Sequence, residues 1–166
     1  MIIDLESIFN VEGSFVDLDY EIDLSGEELD GAYPFKTPVR VFGRVSNIAD
    51  VVEIHADVTS MLTIPCSRCA AEFAFEHITE VDHTLVRQVN DDAGNDDDLI
   101  EVTELKYDVN PLITEDIFLS LPYKFLCSED CKGVCARCGK NLNDGPCDCK
   151  KETDPRFDVL KQLLDN

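Results

Sequence analysis

From residue 16 to residue 24 every second side chain is apolar: Val16, Leu18, Tyr20, Ile22 and Leu24 alternate with Asp17, Asp19, Glu21 and Asp23. A period of two sends successive side chains to opposite faces of a strand. This stretch therefore predicts a sheet with one apolar face and one carboxylate face. The same pattern predicts strands at 39–47 and 51–59, joined by the turn Ile48-Ala49-Asp50. Further strands are expected at 61–65 and 73–80, on either side of Cys66-Ser67-Arg68-Cys69, and at 81–89 as a continuation or an added strand. Short strands with tight turns describe an antiparallel meander, or a partly closed barrel. The expected core is Val41, Val45, Val52, Ile54, Val58, Leu62, Ile64, Phe73, Phe75 and Leu85.

Beyond residue 90 the period changes. Residues 91–98 (DDAGNDDD) are acidic and carry a glycine, the composition of a solvated loop, and they lack the spaced ligands and terminal Glu of a calcium-binding hand. Asn110-Pro111 has the form of a helix N-cap followed by a proline at the first helical position. Ile113, Ile117 and Leu121 share a face of that helix, and Pro122 ends it. A second helix is expected to start at Asp154-Pro155, with Phe157, Leu160 and Leu164 as its stripe and Val159 and Leu163 widening it. The predicted class is α+β. An antiparallel β domain over 1–108 is followed, over 109–166, by a helix, a cysteine-rich module and a C-terminal helix.

The chain has 166 residues, 44% of them hydrophobic, enough for one folded domain with a small module attached. No run approaches the ~18 apolar residues of a membrane span, and the first residues show neither the basic flank nor the apolar stretch of an export signal. A cytoplasmic, reducing location is the expectation. The net charge of −21 is unevenly spread. Residues 127–166 hold seven Lys/Arg against eight Asp/Glu, a net of −1, while residues 1–126 hold seven against twenty-seven, a net of −20. Such a surface repels phosphate backbones and attracts basic partners.

Eight cysteines in a reducing compartment point to metal or redox chemistry rather than disulfides. Cys135-Ala136-Arg137-Cys138 has the two-residue spacing that lets a tight turn aim both sulfurs at one ion, and Gly139 permits the bend that brings amide N–H groups to them. Cys147 and Cys149 lie eight residues on, across an Asn- and Gly-rich turn. Four thiolates in two close pairs suit tetrahedral zinc. Cys66 and Cys69, between two strands, are expected to meet Cys127 and Cys131 as a second site, so one or two zinc ions are expected. The alternative for Cys66 and Cys69 is a pair of free thiols that close a hairpin.

Other chemistries fit less well. Cys131, Cys135 and Cys138 have the spacing of a radical enzyme's iron–sulfur site, but that chemistry needs a longer cofactor-binding barrel. Cys135-x2-Cys138-Gly139 is half of a rubredoxin-type iron site, and Cys147-x-Cys149 is wrong for the other half. A thiol redox enzyme places its pair at a helix N-terminus after a strand, whereas both pairs here fall in turns or loops. His55, His77 and His83 read as sheet or surface histidines. There is no glycine-rich phosphate loop and no nucleophile motif, so no enzyme is expected. A direct RNA-binding role would fall to Lys132, Arg137, Lys140, Lys150, Lys151 and Arg156, which cluster in the near-neutral part of the chain.

Taken in order, Cys66-Ser-Arg-Cys69, Leu119-Ser-Leu-Pro122, the run from Cys131 to Asn143 (CKGVCARCGKNLN) and Asp154-Pro-Arg-Phe157 resemble the YceD family, the large ribosomal RNA subunit accumulation proteins of bacteria and plastids. The resemblance covers the chain from about residue 35 onward. It departs in a detail, Ala136 standing where a proline is usual. The resemblance implies a non-enzymatic part in making the large ribosomal subunit. It also implies a basic large-subunit protein or precursor rRNA as partner, while the residues themselves lead to the expectation of no membrane and no small-molecule substrate.

Overall fold

The structure is a computed structural model that describes residues 1–87 and 99–149. The acidic run 91–98, the helix expected from Asp154, and Lys150, Lys151 and Arg156 lie outside the described residues. The elements are β1 (Ile2–Asp4), α1 (Glu6–Asn10), β2 (Phe15–Ile22), β3 (Val39–Ile48), β4 (Val51–Pro65), β5 (Glu72–Val86), β6 (Leu99–Glu101), β7 (Lys106–Asp108) and α2 (Asn110–Ser120). Among the described residues no helix is long and apolar enough to cross a membrane.

The alternation in β2 places Leu18 and Ile22 in the core while Asp17, Asp19 and Glu21 stay exposed. Strands β2 to β5 form an antiparallel meander in chain order. Ala49 and Asp50, both at positive φ, make the two-residue turn between β3 and β4, and such turns match the twist of the strands they join. The stretches expected at 51–59 and 61–65 are one fifteen-residue strand, because Ser60 is buried with its hydroxyl on the His77 carbonyl at 3.3 Å and does not interrupt the ladder. The stretch at 73–80 likewise runs on without a break to Val86.

The barrel expectation is corrected. The five-stranded sheet is open, in the order β2-β3-β4-β5-β6, and β6 lies parallel to β5. β1 and β7 form a separate antiparallel pair. Closure is unnecessary because helices cover the apolar face. Leu112, Ile113 and Ile117 of α2 and Ile8 of α1 join Val41, Val45, Ile54, Val58 and Leu62 in one core. Of the expected core residues, Phe73 and Phe75 are partly buried at its edge and the other eight are fully buried. The expected boundary at 108/109 thus falls inside a single apolar cluster.

Polar contacts fix the docking of α2. His83 Nε2 pairs with Asp116 Oδ2 at 2.8 Å, and the Ser120 hydroxyl meets both His77 Nε2 and Thr79 Oγ1 at 2.9 Å. The N-cap of α2 is Val109, not Asn110. Asp108 accepts the Asn110 N–H at 3.2 Å and also holds the N-terminal ammonium at 2.9 Å. Its carboxyl is held below the usual range by that ammonium and by the Asn110 N–H.

Candidate metal centres

Two groups of four cysteine sulfurs assemble, each with all four atoms within 4.8 Å of one another. The first contains Cys66, Cys69, Cys127 and Cys131. Cys66 directly follows β4, and the chain turns back into β5 through Cys66 N–H to Ala71 O and Ala70 N–H to Cys66 O, both 2.9 Å. The segment after α2 is strapped onto this turn: Ser67 N–H donates to Phe125 O at 2.7 Å and Phe125 N–H to Ser67 Oγ at 3.2 Å. Arg68 completes the join, one guanidinium nitrogen donating to the carbonyls of Glu129 at 3.1 Å and Cys131 at 3.0 Å. Gly133 sits at φ 72 with its Cα so close to the Arg68 carbonyl that an added Cβ would stand 3.0 Å from it. Cys66, Cys69 and Cys131 are buried against Phe73 and Leu126.

The second group, Cys135, Cys138, Cys147 and Cys149, is assembled from one continuous loop and is more exposed. Gly139, at φ 72, returns its N–H to Cys135 O at 2.9 Å and so makes the bend between the first pair. A 3-10 turn at Leu142–Asp144, capped by the Asn141 side chain on Asn143 N–H, carries the chain round to the second pair. Lys132, Arg137 and Lys140 are exposed in this region, and Lys140 Nζ donates to Pro146 O at 2.9 Å.

Asn143 links the two groups. Its Oδ1 accepts Lys132 N–H at 2.8 Å and its Nδ2 donates to Cys131 Sγ at 3.3 Å, while the neighbouring Leu142 N–H reaches Gly133 O at 2.8 Å. Neither Asn143 nor Arg68 is marked as a site residue by spacing. The only available signal is their position inside the cysteine motifs.

The description "Large ribosomal RNA subunit accumulation protein YceD" matches residues 54–164, a stretch that holds all eight cysteines. The chain belongs to the YceD family. Among relatives, it is similar to YlbN of Bacillus subtilis, at 29% identity over 77% of this chain and 75% of that protein. It is also similar to the chloroplastic YCED homolog 1 of Arabidopsis thaliana, named a large ribosomal RNA subunit accumulation protein, at 28% identity over 79% of this chain and 50% of the relative. The protein of the same name from Zea mays is 29% identical over 87% of this chain and 60% of its own length. The chain thus spans three quarters of the Bacillus protein and roughly half of the plant proteins. No solved structure matches it.

In this YceD-family chain the donor set can be tested against a metal ion. Four sulfurs at ~2.3 Å from a tetrahedral zinc stand about 3.8 Å apart. The contacts Cys66–Cys131 and Cys69–Cys127 are both 3.7 Å, far beyond the ~2.05 Å of a disulfide bond. Amide donors surround the sulfurs. Cys66 Sγ accepts Cys127 N–H at 3.4 Å and Arg68 N–H at 3.5 Å. These donors, Cys127 N–H foremost, pull the Cys66 thiol down to about 6. The N–H groups of Cys138 and Arg137 bring Cys135 to about 6. In contrast, Cys127 is pushed up to about 12 by its bond to the Cys131 sulfur, and Cys149 to about 12 by its bond to Cys138. Each cluster stabilises some thiolate charge but cannot ionise fully without a cation to offset mutual repulsion. The donor set fits a soft or borderline divalent ion.

Proposed function

We propose that this protein is a non-enzymatic factor in large-subunit biogenesis that acts by holding a ribosomal component, with zinc as structural scaffold. The family match over residues 54–164, together with the rRNA-accumulation name of its plant relatives, carries the reading. Zinc is favoured by two sets of four sulfurs, each a full tetrahedral complement of protein ligands, the form of structural rather than catalytic sites. Cys66, Cys69, Cys127 and Cys131 would hold one ion, and Cys135, Cys138, Cys147 and Cys149 the other. A basic large-subunit protein is the favoured partner of a region with a net charge of −20.

The test is recovery of tagged protein from its own cells, with mass spectrometry of what it retains and native mass spectrometry of its metal. Enrichment of large-subunit proteins or precursor rRNA, with two zinc ions per chain, is expected. Recovery with no large-subunit component would sink the reading. A second reading, direct RNA binding by the module, is favoured by the exposed Lys132, Arg137 and Lys140. It predicts salt-dependent RNA binding that is lost on charge reversal at Arg137 and Lys140. Iron would instead indicate an electron-transfer protein, and cysteine pairs that oxidise and reduce reversibly a thiol redox protein.

A further inference from the structure

The sheet has a second face, which no helix of the described residues covers. Nine carboxylates and two arginines project from it across β2 to β5. The cations on this face are already committed. Arg44 pairs with Asp17 at 2.7 Å while its guanidinium lies 4.1 Å over the Phe15 ring, Arg40 pairs with Asp19, and His55 Nδ1 meets Asp82 at 2.8 Å. Among the described residues no cation engages Asp57, Glu76 or Glu80. Asp57 stands directly opposite Glu80 in the β4–β5 register, a like-charge pair that weakens a sheet unless something compensates it.

Large apolar side chains stand among these carboxylates. Phe42, directly opposite Asp57, is 61% exposed, and Ile78, two residues before Glu80, is 62% exposed. A shallow cavity of about 240 Å³ opens between Phe42, His55, Asp57, Glu80 and Asp82. Apolar groups rimmed by unsatisfied charge of one sign mark a protein interface, with the apolar groups as anchors and the charges selecting the partner.

We propose that this outer face is the docking surface for a basic protein segment, rich in Arg and Lys with interspersed apolar residues, seated over Phe42, Asp57, Ile78 and Glu80. Cations from the segment fall between Asp57 and Glu80, and its apolar side chains cover Phe42 and Ile78. RNA is excluded from this face by the same carboxylates that attract the segment. The proposal rests on the binding reading above for the partner's place in ribosome assembly.

The experiment is fluorescence anisotropy of the full chain with a labelled arginine-rich peptide containing leucines, and with a single-stranded RNA of similar length. Asp57→Lys with Glu80→Lys is expected to weaken peptide binding about tenfold or more. Phe42→Ser with Ile78→Ser is expected to weaken it severalfold while leaving its salt dependence steep. Glu12→Lys with Glu115→Lys, beside α1 and on α2 and so with the helices of the opposite face, is the control and is expected to stay within about twofold. Far-UV circular dichroism and metal content establish that each variant is folded. Equal losses in face and control variants, no loss in either face variant, or RNA binding that follows the face residues would overturn the proposal. The two readings part in cells. If Asp57→Lys/Glu80→Lys still recovers the same large-subunit proteins as the parent, the surface fails and the function stands. If the parent recovers none while the peptide responds to the face variants, the function fails and the surface stands.

Discussion

Between Ile3 and Ile117 twenty-three apolar side chains of the described residues are buried in one cluster, whereas from residue 122 to 149 the buried residues are Cys131 and Gly133. The sheet and its helices are therefore held as most domains are, by apolar area removed from water. The cysteine module has no such resource. It has turns, a few backbone hydrogen bonds and eight sulfurs shared with the end of a hairpin. Chains that cannot build a core lean on metal or crosslinks, and in them binding energy is folding energy. Holding metal, the two cysteine groups would divide that work differently. The group at Cys135 closes a local loop, while the group at Cys66 fastens that loop to the sheet across about sixty residues of chain.

The largest effect expected from this contrast is on chelation. Removing metal, or replacing Cys131 by Ser, should release residues 122–149 while β3, β4 and β5 keep their order. Hydrogen exchange followed by mass spectrometry reads both regions at once. Amides of the module should lose protection, and those of residues 39–65 should retain it. Loss of protection in both regions in a single step would mean that the metal supports the whole fold and would break the comparison.

The converse change strikes the sheet. Ile54 is fully buried at the centre of β4, opposite Val45 and His83. Ile54→Ala should cost about 2–5 kcal/mol in urea unfolding, because the rigid neighbours leave a cavity. The folded fraction should still carry the same number of metal ions per chain. A cost under about 1 kcal/mol would mean that this core is not what holds the sheet.

Those two changes also mark how much could be read from sequence. Ile54 follows from alternation, since period two at 51–59 leaves one face for the core. The strand that contains it was longer than the pattern suggested, because a satisfied buried serine is indistinguishable from a strand break without its partner. β1, β6 and β7 carry three residues each, too few to show a period, and β1 pairs with β7 across more than a hundred residues. The open edge of the sheet was hidden for the same reason, as β6 adds parallel to β5 rather than closing on β2. Spacing suggests that Cys135 and Cys138 share an ion. The expected meeting of Cys66 and Cys69 with Cys127 and Cys131 comes about because the segment after α2 is strapped to the turn after β4, whereas only the register of the 3-10 turn gives Asn143 its place.

Asn143 sharpens the comparison at intermediate size. It belongs to the loop of one cysteine group and donates to a sulfur of the other, and it favours the Cys131 thiolate. Asn143→Ala should weaken metal retention at the Cys66 group by about 10–100-fold, the usual effect of losing an outer-shell donor to a ligand. Competition with a zinc chelator, followed by native mass spectrometry, should show one ion lost early and the other late. Simultaneous loss of both would show that Asn143 couples the sites too tightly for either to fill alone. Unchanged retention would remove it from the metal centre.

The smallest effect lies on the sheet side, far from any sulfur. Tyr20 projects from the inner face of β2, half-buried, and its hydroxyl donates to Asn110 Oδ1 at 3.0 Å, tying the edge strand to the start of α2. Burial, and then the charge of Asp108, push its phenol up to about 12 from the ordinary 10. The folded state thus prefers the protonated phenol. The resulting stability is fully present below pH 10 and is lost as pH rises toward 12. With solvent screening of a half-exposed group, the loss should be about 1–2 kcal/mol. Tyr20→Phe should cost about 1 kcal/mol at neutral pH by leaving Asn110 without its donor, and it should flatten the alkaline decline. Urea midpoints at pH 7, 10 and 11 for the two proteins measure both effects. A parallel decline in both would assign the alkaline loss to other groups.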